Sequence, residues 1–154
     1  ETENEFEAIF GRRYSGLIEN YLTDDAEYII VTLGSIAGLC RKTADRLREQ
    51  GIRAGVVRIR YMRPFPNEEI AEALSSAKAY AVLEKDISFG NEGTVFTNVN
   101  SAVKKENGKA EGYNFIGGLG GRNISASDIE NIFKSIIKGT DRVNFIGIGD
   151  GNNG

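Results

Sequence analysis

Between Glu27 and Phe145 the chain alternates short apolar runs with longer stretches whose apolar residues recur every three or four positions. That is the pattern of strands alternating with helices. Ile29, Ile30 and Val31 form a continuous apolar block within 27–33, as in a strand buried on both faces, and the run stops at Gly34. Ile36, Leu39, Cys40, Ala44 and Leu47 then follow a three-and-four spacing that predicts a helix, with Ser35 as N-cap and Gly51 as the residue that ends it. A second strand is expected over 54–60. Behind it, Arg63-Pro64-Phe65-Pro66 suits a rigid turn into a helix over 67–75, because neither proline can donate a backbone hydrogen bond. Residues 80–83 predict a third buried strand.

A polar loop over 84–93 comes next, and after it Val95, Phe96, Val99, Ala102 and Val103 lie on one helical face. The helical spacing outweighs the β-branched bias of 94–99, so a helix is expected over 94–105. Residues 112–116 read as a fourth strand running into Gly-Gly-Leu-Gly-Gly-Arg-Asn-Ile at 117–124. Ile129, Ile132, Phe133, Ile136 and Ile137 define a last amphipathic helix. Its start is marked by Ser125 with Asp128 or by Ser127 with Glu130, and its end by Gly139. A short fifth strand is expected within 143–148. Strand-helix alternation at this spacing argues an α/β fold of three layers, a parallel sheet covered by helices on both faces, since parallel strands need crossover connections.

Ahead of this pattern, residues 1–24 are acidic and mixed and read as an arm, with two helical turns expected over 14–21. Residues 25–148 form the domain and 149–154 a glycine-rich tail. The chain opens without Met, which fits a piece of something longer. A length of 154 residues suits one core, and 40% apolar with 27% charged residues is ordinary globular usage. No apolar run approaches the roughly 20 residues needed to cross a bilayer. Neither a membrane nor an export signal is expected, and a reducing cytoplasm is.

Nineteen Lys and Arg against 22 Asp and Glu give a net charge of −3, which supplies no electrostatic reason to bind nucleic acid. One cysteine, Cys40, and no histidine exclude more chemistry than any other count. A four-thiolate iron-sulfur cluster, a zinc finger, a Ser-His-Asp triad and a Cys-His dyad all require residues the chain lacks. Cys40, at an apolar helix position, reads as a small buried hydrophobe.

The glycines at 117–121 with Arg122 invite a phosphate cradle, but the third glycine of the dinucleotide pattern falls on Asn123 and no Walker lysine follows. A structural turn is the favoured reading. Gly149-Asp150-Gly151 with Asn152-Asn153 has the two halves of a thiamine diphosphate signature. They are contiguous here, whereas separate turns must bring such ligands together, so a solvated tail is expected. Glu84 and Asp86 form a possible acid/base pair, with solvated loop charge as the plainer reading. Arg58 and Arg60 share a strand face and suggest a polar edge or a partner surface. In a parallel sheet the loops after each strand emerge at one edge, which gathers Ser35, Arg63, Glu84, Asp86 and Arg122 as candidate interface residues.

Several of these segments occur together in a known family. Phe10-Gly11-Arg12, Asp25-Ala26-Glu27 leading to Leu33-Gly34-Ser35, Arg63-Pro64-Phe65-Pro66, Leu83-Glu84-Lys85 and Gly118-Leu119-Gly120-Gly121-Arg122 resemble, in order and spacing, the C-terminal part of the α subunit of 2-oxoacid:ferredoxin oxidoreductases, in the pyruvate synthase branch. Where that family usually carries Asp after the arginine, this chain has Asn123. The resemblance implies a transketolase C-terminal-like α/β/α sandwich with a mostly parallel five-stranded sheet. It also implies an enzyme complex that decarboxylates pyruvate oxidatively to acetyl-CoA and reduces ferredoxin, with thiamine diphosphate, magnesium and iron-sulfur clusters held elsewhere in the complex. Other domains and subunits are then this chain's partners, and ferredoxin and CoA meet it only through the complete complex. On that reading the chain is a structural and interface domain, inactive alone and holding no cofactor. The alternative from another class is a freestanding α/β module that binds a nucleotide or other phosphorylated ligand at 117–122.

Overall fold

The computed structural model describes residues 16–85, 92–118 and 123–147. In chain order these form β1 (Ile18–Tyr21), β2 (Tyr28–Leu33), α1 (Ile36–Glu49), β3 (Ala54–Ile59), α2 (Asn67–Ala73), β4 (Ala79–Glu84), α3 (Thr94–Lys105), β5 (Glu111–Ile116), α4 (Ala126–Lys138) and β6 (Val143–Phe145). One sheet has the order β1-β3-β2-β4-β5-β6, in which β1 alone is antiparallel to its neighbour. The three-layer α/β fold is as the hydrophobic pattern predicts, and β3, β2 and β4 are adjacent and parallel.

Alternation along each strand divides the core between two faces. Val31, Val57, Ile59, Tyr80 and Val82 meet Ile70 of α2 with Phe96 and Val99 of α3. On the other face Ile30, Val56, Ala81 and Leu83 meet Cys40 and Leu47 of α1 with Ile129 and Phe133 of α4. The central strands are thus covered on both sides, which is why they read as unbroken apolar runs.

β1 corrects the sequence expectation. Residues 18–21 form a strand rather than helical turns, and the sheet has six strands rather than five. The exposed edge of β3 supplies a ladder, Ile18 opposite Ile59 through Tyr21 opposite Val56, that a two-turn helix could not match in burial. Ile18 is 1% exposed on the α2 side. On the α1 side Glu19 pairs with Arg41 and, at 3.6 Å, with Arg58, while the Tyr21 hydroxyl donates to Asp45 at 2.7 Å. The last residues of the expected arm therefore belong to the sheet.

The helix ends marked in the sequence form as expected with one exception. At α4 the Ser125 hydroxyl accepts from Asp128 N at 3.1 Å and the Asp128 carboxylate accepts from Ser125 N at 2.8 Å, a reciprocal capping box. Of the two starts weighed for this helix, the Ser125 one is realised. Gly51, with φ +86, ends α1 as expected. Ser35 is the exception: it occupies the N-cap position in a helical conformation and its side chain makes no capping bond. The Arg63–Pro64 peptide is cis, and α2 begins directly after Pro66.

Candidate functional site at the carboxyl edge

From β2 the chain crosses to β3 on one side and later to β4 on the other, so β2 and β4 flank the point where the winding reverses. Crevices at such points, beyond the carboxyl ends of the strands, are where open α/β sheets bind ligands or partners. Here the crevice is widened by the ladder itself. β2 pairs with β4 only from Tyr28–Ala79 to Val31–Val82, whereas β2 follows β3 as far as Leu33 and β4 follows β5 as far as Glu84. Beyond Val31 and Val82 the two strands part, spanned by the buried Thr32 hydroxyl donating to Leu83 O at 3.1 Å. A cleft of about 570 Å³ opens there, lined in part by Gly34, Ser35, Glu84, Lys85, Val95 and Ile124.

Glu84 closes one wall, and its setting corrects the reading of a solvated loop charge. It is the last residue of β4, 5% exposed, and its carboxylate accepts from Val95 N at 2.9 Å, Phe96 N at 3.0 Å and Asn114 Nδ2 at 2.9 Å. Asn114, fully buried in β5, also donates to Val82 O at 3.2 Å and accepts from Gly93 N at 2.7 Å. Together they tie the ends of β4 and β5 to the start of α3. A carboxylate engaged by three buried donors serves as a structural tie between the strand ends and the helix start. It also compensates the positive end of α3, the place where a phosphate would otherwise bind. Asp128 does the same at α4. The helices that follow β4 and β5 thus already carry carboxylates at their N-termini, which weighs against a phosphate cradle.

Lys85 follows Glu84 and stays exposed, its stem lying over Gly118, where a Cβ would stand 3.0 Å from Lys85 Cε. Gly118 has φ +76, and that backbone conformation calls for glycine there. At the far end of the 84–93 loop, Arg142 donates to Glu92 at 2.7 Å and its guanidinium lies 4.9 Å from the Phe96 ring centre. That guanidinium holds the Glu92 carboxyl below its ordinary range.

The structure brings two of the candidate residues, Ser35 and Glu84, into one cleft. Arg63 lies exposed at the same edge on the turn after β3, outside the cleft lining. Asp86 and Arg122 lie outside the described residues, as do most of 117–122 and the tail 149–154. Arg58 joins the polar edge with Glu19, and Arg60 stacks over the exposed Tyr61 ring at 5.8 Å. Sequence reasoning passed over Thr32 and Asn114. Their signal was there: Thr32 is a lone polar residue inside a strand expected to be buried on both faces, and Asn114 a lone polar side chain within the expected strand over 112–116.

Among the described residues no group of three or more His, Cys, Asp and Glu converges on a metal position. Cys40 is fully buried between α1 and the sheet, where burial pushes its thiol up to about 12, the inert condition expected of it. One such thiol cannot ligate a cluster.

Taken together, the fold and this edge define a doubly wound α/β domain of transketolase type, with an open carboxyl-edge cleft and no catalytic constellation among the described residues. Solved structures share the fold: a split-gene transketolase, described as an inactive β4 tetramer, superposes with TM-score 0.59 at 18% identity over 78% of this chain and 41% of that one. The 2-oxoglutarate:ferredoxin oxidoreductase of Magnetococcus marinus also gives TM-score 0.59, at 20% identity over 78% of this chain and 19% of that one. Residues 26–129 match the family model described as pyruvate:ferredoxin oxidoreductase core domain II, and the chain belongs to that family. Among curated relatives, the pyruvate synthase subunit PorA of Pyrococcus abyssi is 45% identical over 82% of this chain, and that of Methanothermobacter thermautotrophicus 40% identical over 94%. The ketoisovalerate oxidoreductase subunit VorA of Pyrococcus abyssi is 39% identical over 87%. The chain spans about a third of the length of these relatives, 32%, 36% and 34% respectively.

Proposed function

We propose that this chain is a structural and interface domain of a 2-oxoacid:ferredoxin oxidoreductase α subunit, and that its carboxyl edge docks the other domains or subunits of the complex. Pyruvate is the favoured 2-oxoacid, with acetyl-CoA and reduced ferredoxin as products of the complete enzyme in the cytoplasm. Thiamine diphosphate, magnesium and iron-sulfur clusters belong to the other parts, since neither Glu84 nor Cys40 is disposed to serve them.

The observation that carries the interface reading is a contrast between the two ends of the sheet. At the amino edge charges are paired within the domain: Glu27 with Arg53 and, at 3.4 Å, with Lys78, and Asp25 with Arg48 at 2.8 Å. At the carboxyl edge Arg63, Lys85 and Tyr61 stand exposed, Tyr61 to 52%. Arginine and tyrosine are favoured at interface centres because each brings rigid area together with directed hydrogen bonds. Mixing the purified chain with the remaining subunits tests the reading. Assembly is expected to restore pyruvate-dependent viologen reduction, while the chain alone shows none; activity of the isolated chain would overturn it.

A further inference from the structure

At the end of α3, Asn107 N donates to Lys104 O at 3.1 Å and Gly108 N to Val103 O at 2.8 Å, the pair of bonds by which a left-handed residue closes a helix. Asn107 is that residue, with φ +57. Where such a position is not glycine, asparagine is favoured, because its short polar side chain tolerates the left-handed backbone. The next position has a steric requirement instead. A Cβ on Gly108 would stand 2.6 Å from Val103 Cγ1 and 2.9 Å from Val103 O, and Val103 is buried in the core, so only glycine fits.

The end of this helix thus calls for asparagine followed by glycine. That dipeptide is chemically labile, since glycine puts no side chain in the way when its backbone nitrogen attacks the asparagine amide carbon. Asn107 is exposed, so water reaches it.

We propose that Asn107 is a site of spontaneous deamidation, held in check by the closed end of α3. In the reaction the Gly108 nitrogen gives up its proton and bonds to Asn107 Cγ, the Cγ–Nδ2 bond breaks, and ammonia leaves carrying that proton. The cyclic imide is then opened by water at either carbonyl, which yields aspartate or isoaspartate. While the Gly108 N–H is bonded to Val103 O, its nitrogen is engaged away from the Asn107 side chain, and conversion waits on opening of the last helical turn. The product weakens the cap that delayed it. It adds a negative charge at the negative end of α3, beside Glu106 and in a groove also lined by Glu68 and Glu72. Lys104, Lys105 and Lys109, exposed around the same turn, soften that charge, but isoaspartate also lengthens the main chain within the turn. The site lies just ahead of β5, at the amino edge, and is independent of the partner-docking reading of the carboxyl edge.

Ageing the full 154-residue chain in mildly alkaline buffer, with and without urea above its unfolding transition, tests the proposal by peptide mapping, which separates residue 107 from the second Asn-Gly pair at 153–154. The expected result is amide-to-acid conversion at residue 107 in urea, slowed about tenfold or more in the folded chain. Hydrogen exchange at the Gly108 amide should be slowed by a similar factor, and urea too dilute to unfold the chain should speed both together, because one opening exposes both. Asn107→Gly should abolish conversion at that position and keep the fold, since glycine suits φ +57. Equal conversion in the folded and unfolded chain would overturn the protective role of the helix end. Absence of conversion at residue 107 in urea would overturn the site itself, and a folded-state rate that stays fixed while Gly108 exchange rises would overturn the link between them.

Discussion

Glu84 and Asn114 show how much of this edge depends on single polar side chains. Each sits where a strand buried on both faces ends or nearly ends, and each is satisfied on every side. Glu84→Ala would strand three buried donors, and a loss of about 3 kcal/mol or more is expected in urea melts, against less than about 0.5 for a surface carboxylate. The residue was visible in the sequence but its role was not, because its partners Val95 and Phe96 start a helix about ten residues on. Titration adds a second expectation at this scale. The Glu92 carboxyl is lowered in the folded state by Arg142, so its stabilisation is full above the unfolded value near 4.5 and is lost as pH falls through the lower folded one. Glu92→Gln should therefore flatten the acid side of a stability-pH curve, and an unchanged acid slope would contradict the pairing. Burial raises the Cys40 and Tyr80 groups instead, which predicts stability falling as pH climbs past the ordinary thiol value of 9.0 toward about 12.

At the level of elements, periodicity sufficed wherever one chain segment determined its own burial. The helix over 94–105 was recoverable despite its β-branched residues, since Val95, Phe96, Val99, Ala102 and Val103 are all buried on one face. β1 was not, because its conformation is decided by the open edge of β3 and by Arg41, Arg58 and Asp45, none of which is near it in sequence. Ser35 and Ser125 make a matching pair: both have the sequence of an N-cap, and only Ser125 has an acidic residue three positions on to complete a box. Ser125→Ala should thus cost about 1 kcal/mol. Ser35→Ala should cost almost nothing, and equal losses in parallel melts would contradict the difference. The central sheet makes the larger demand. Ile30, fully buried between β3 and β4, should cost about 2 to 5 kcal/mol when cut to Ala, through lost burial and the cavity left behind.

For the whole molecule, the described residues pair charges at the amino edge of the sheet and leave Arg63 and Lys85 exposed at the carboxyl edge. The amino edge neutralises itself with Arg53, Lys78 and Arg48 on Glu27 and Asp25. The carboxyl edge keeps Lys85 exposed beside a cleft that the parting of β2 and β4 holds open. If that cleft receives another domain or subunit, Lys85→Glu should leave the isolated fold almost untouched, since an exposed lysine contributes little to folding and a shift of about 2 °C or less in Tm is expected. Assembly should respond quite differently. A reversed charge facing a desolvated partner loses its own contact and adds repulsion, and at about 1.4 kcal/mol per decade a tenfold or greater weakening of association is expected. The opposing account makes Lys85 a fixture of its own loop, covering Gly118 with its stem. Glutamate is too short to give that cover, so this account predicts a clear fall in Tm, with assembly lost only in proportion to unfolding. Measuring Tm and subunit association on the one variant separates the two, and a large drop in Tm with normal association of the folded fraction would remove the cleft from the interface.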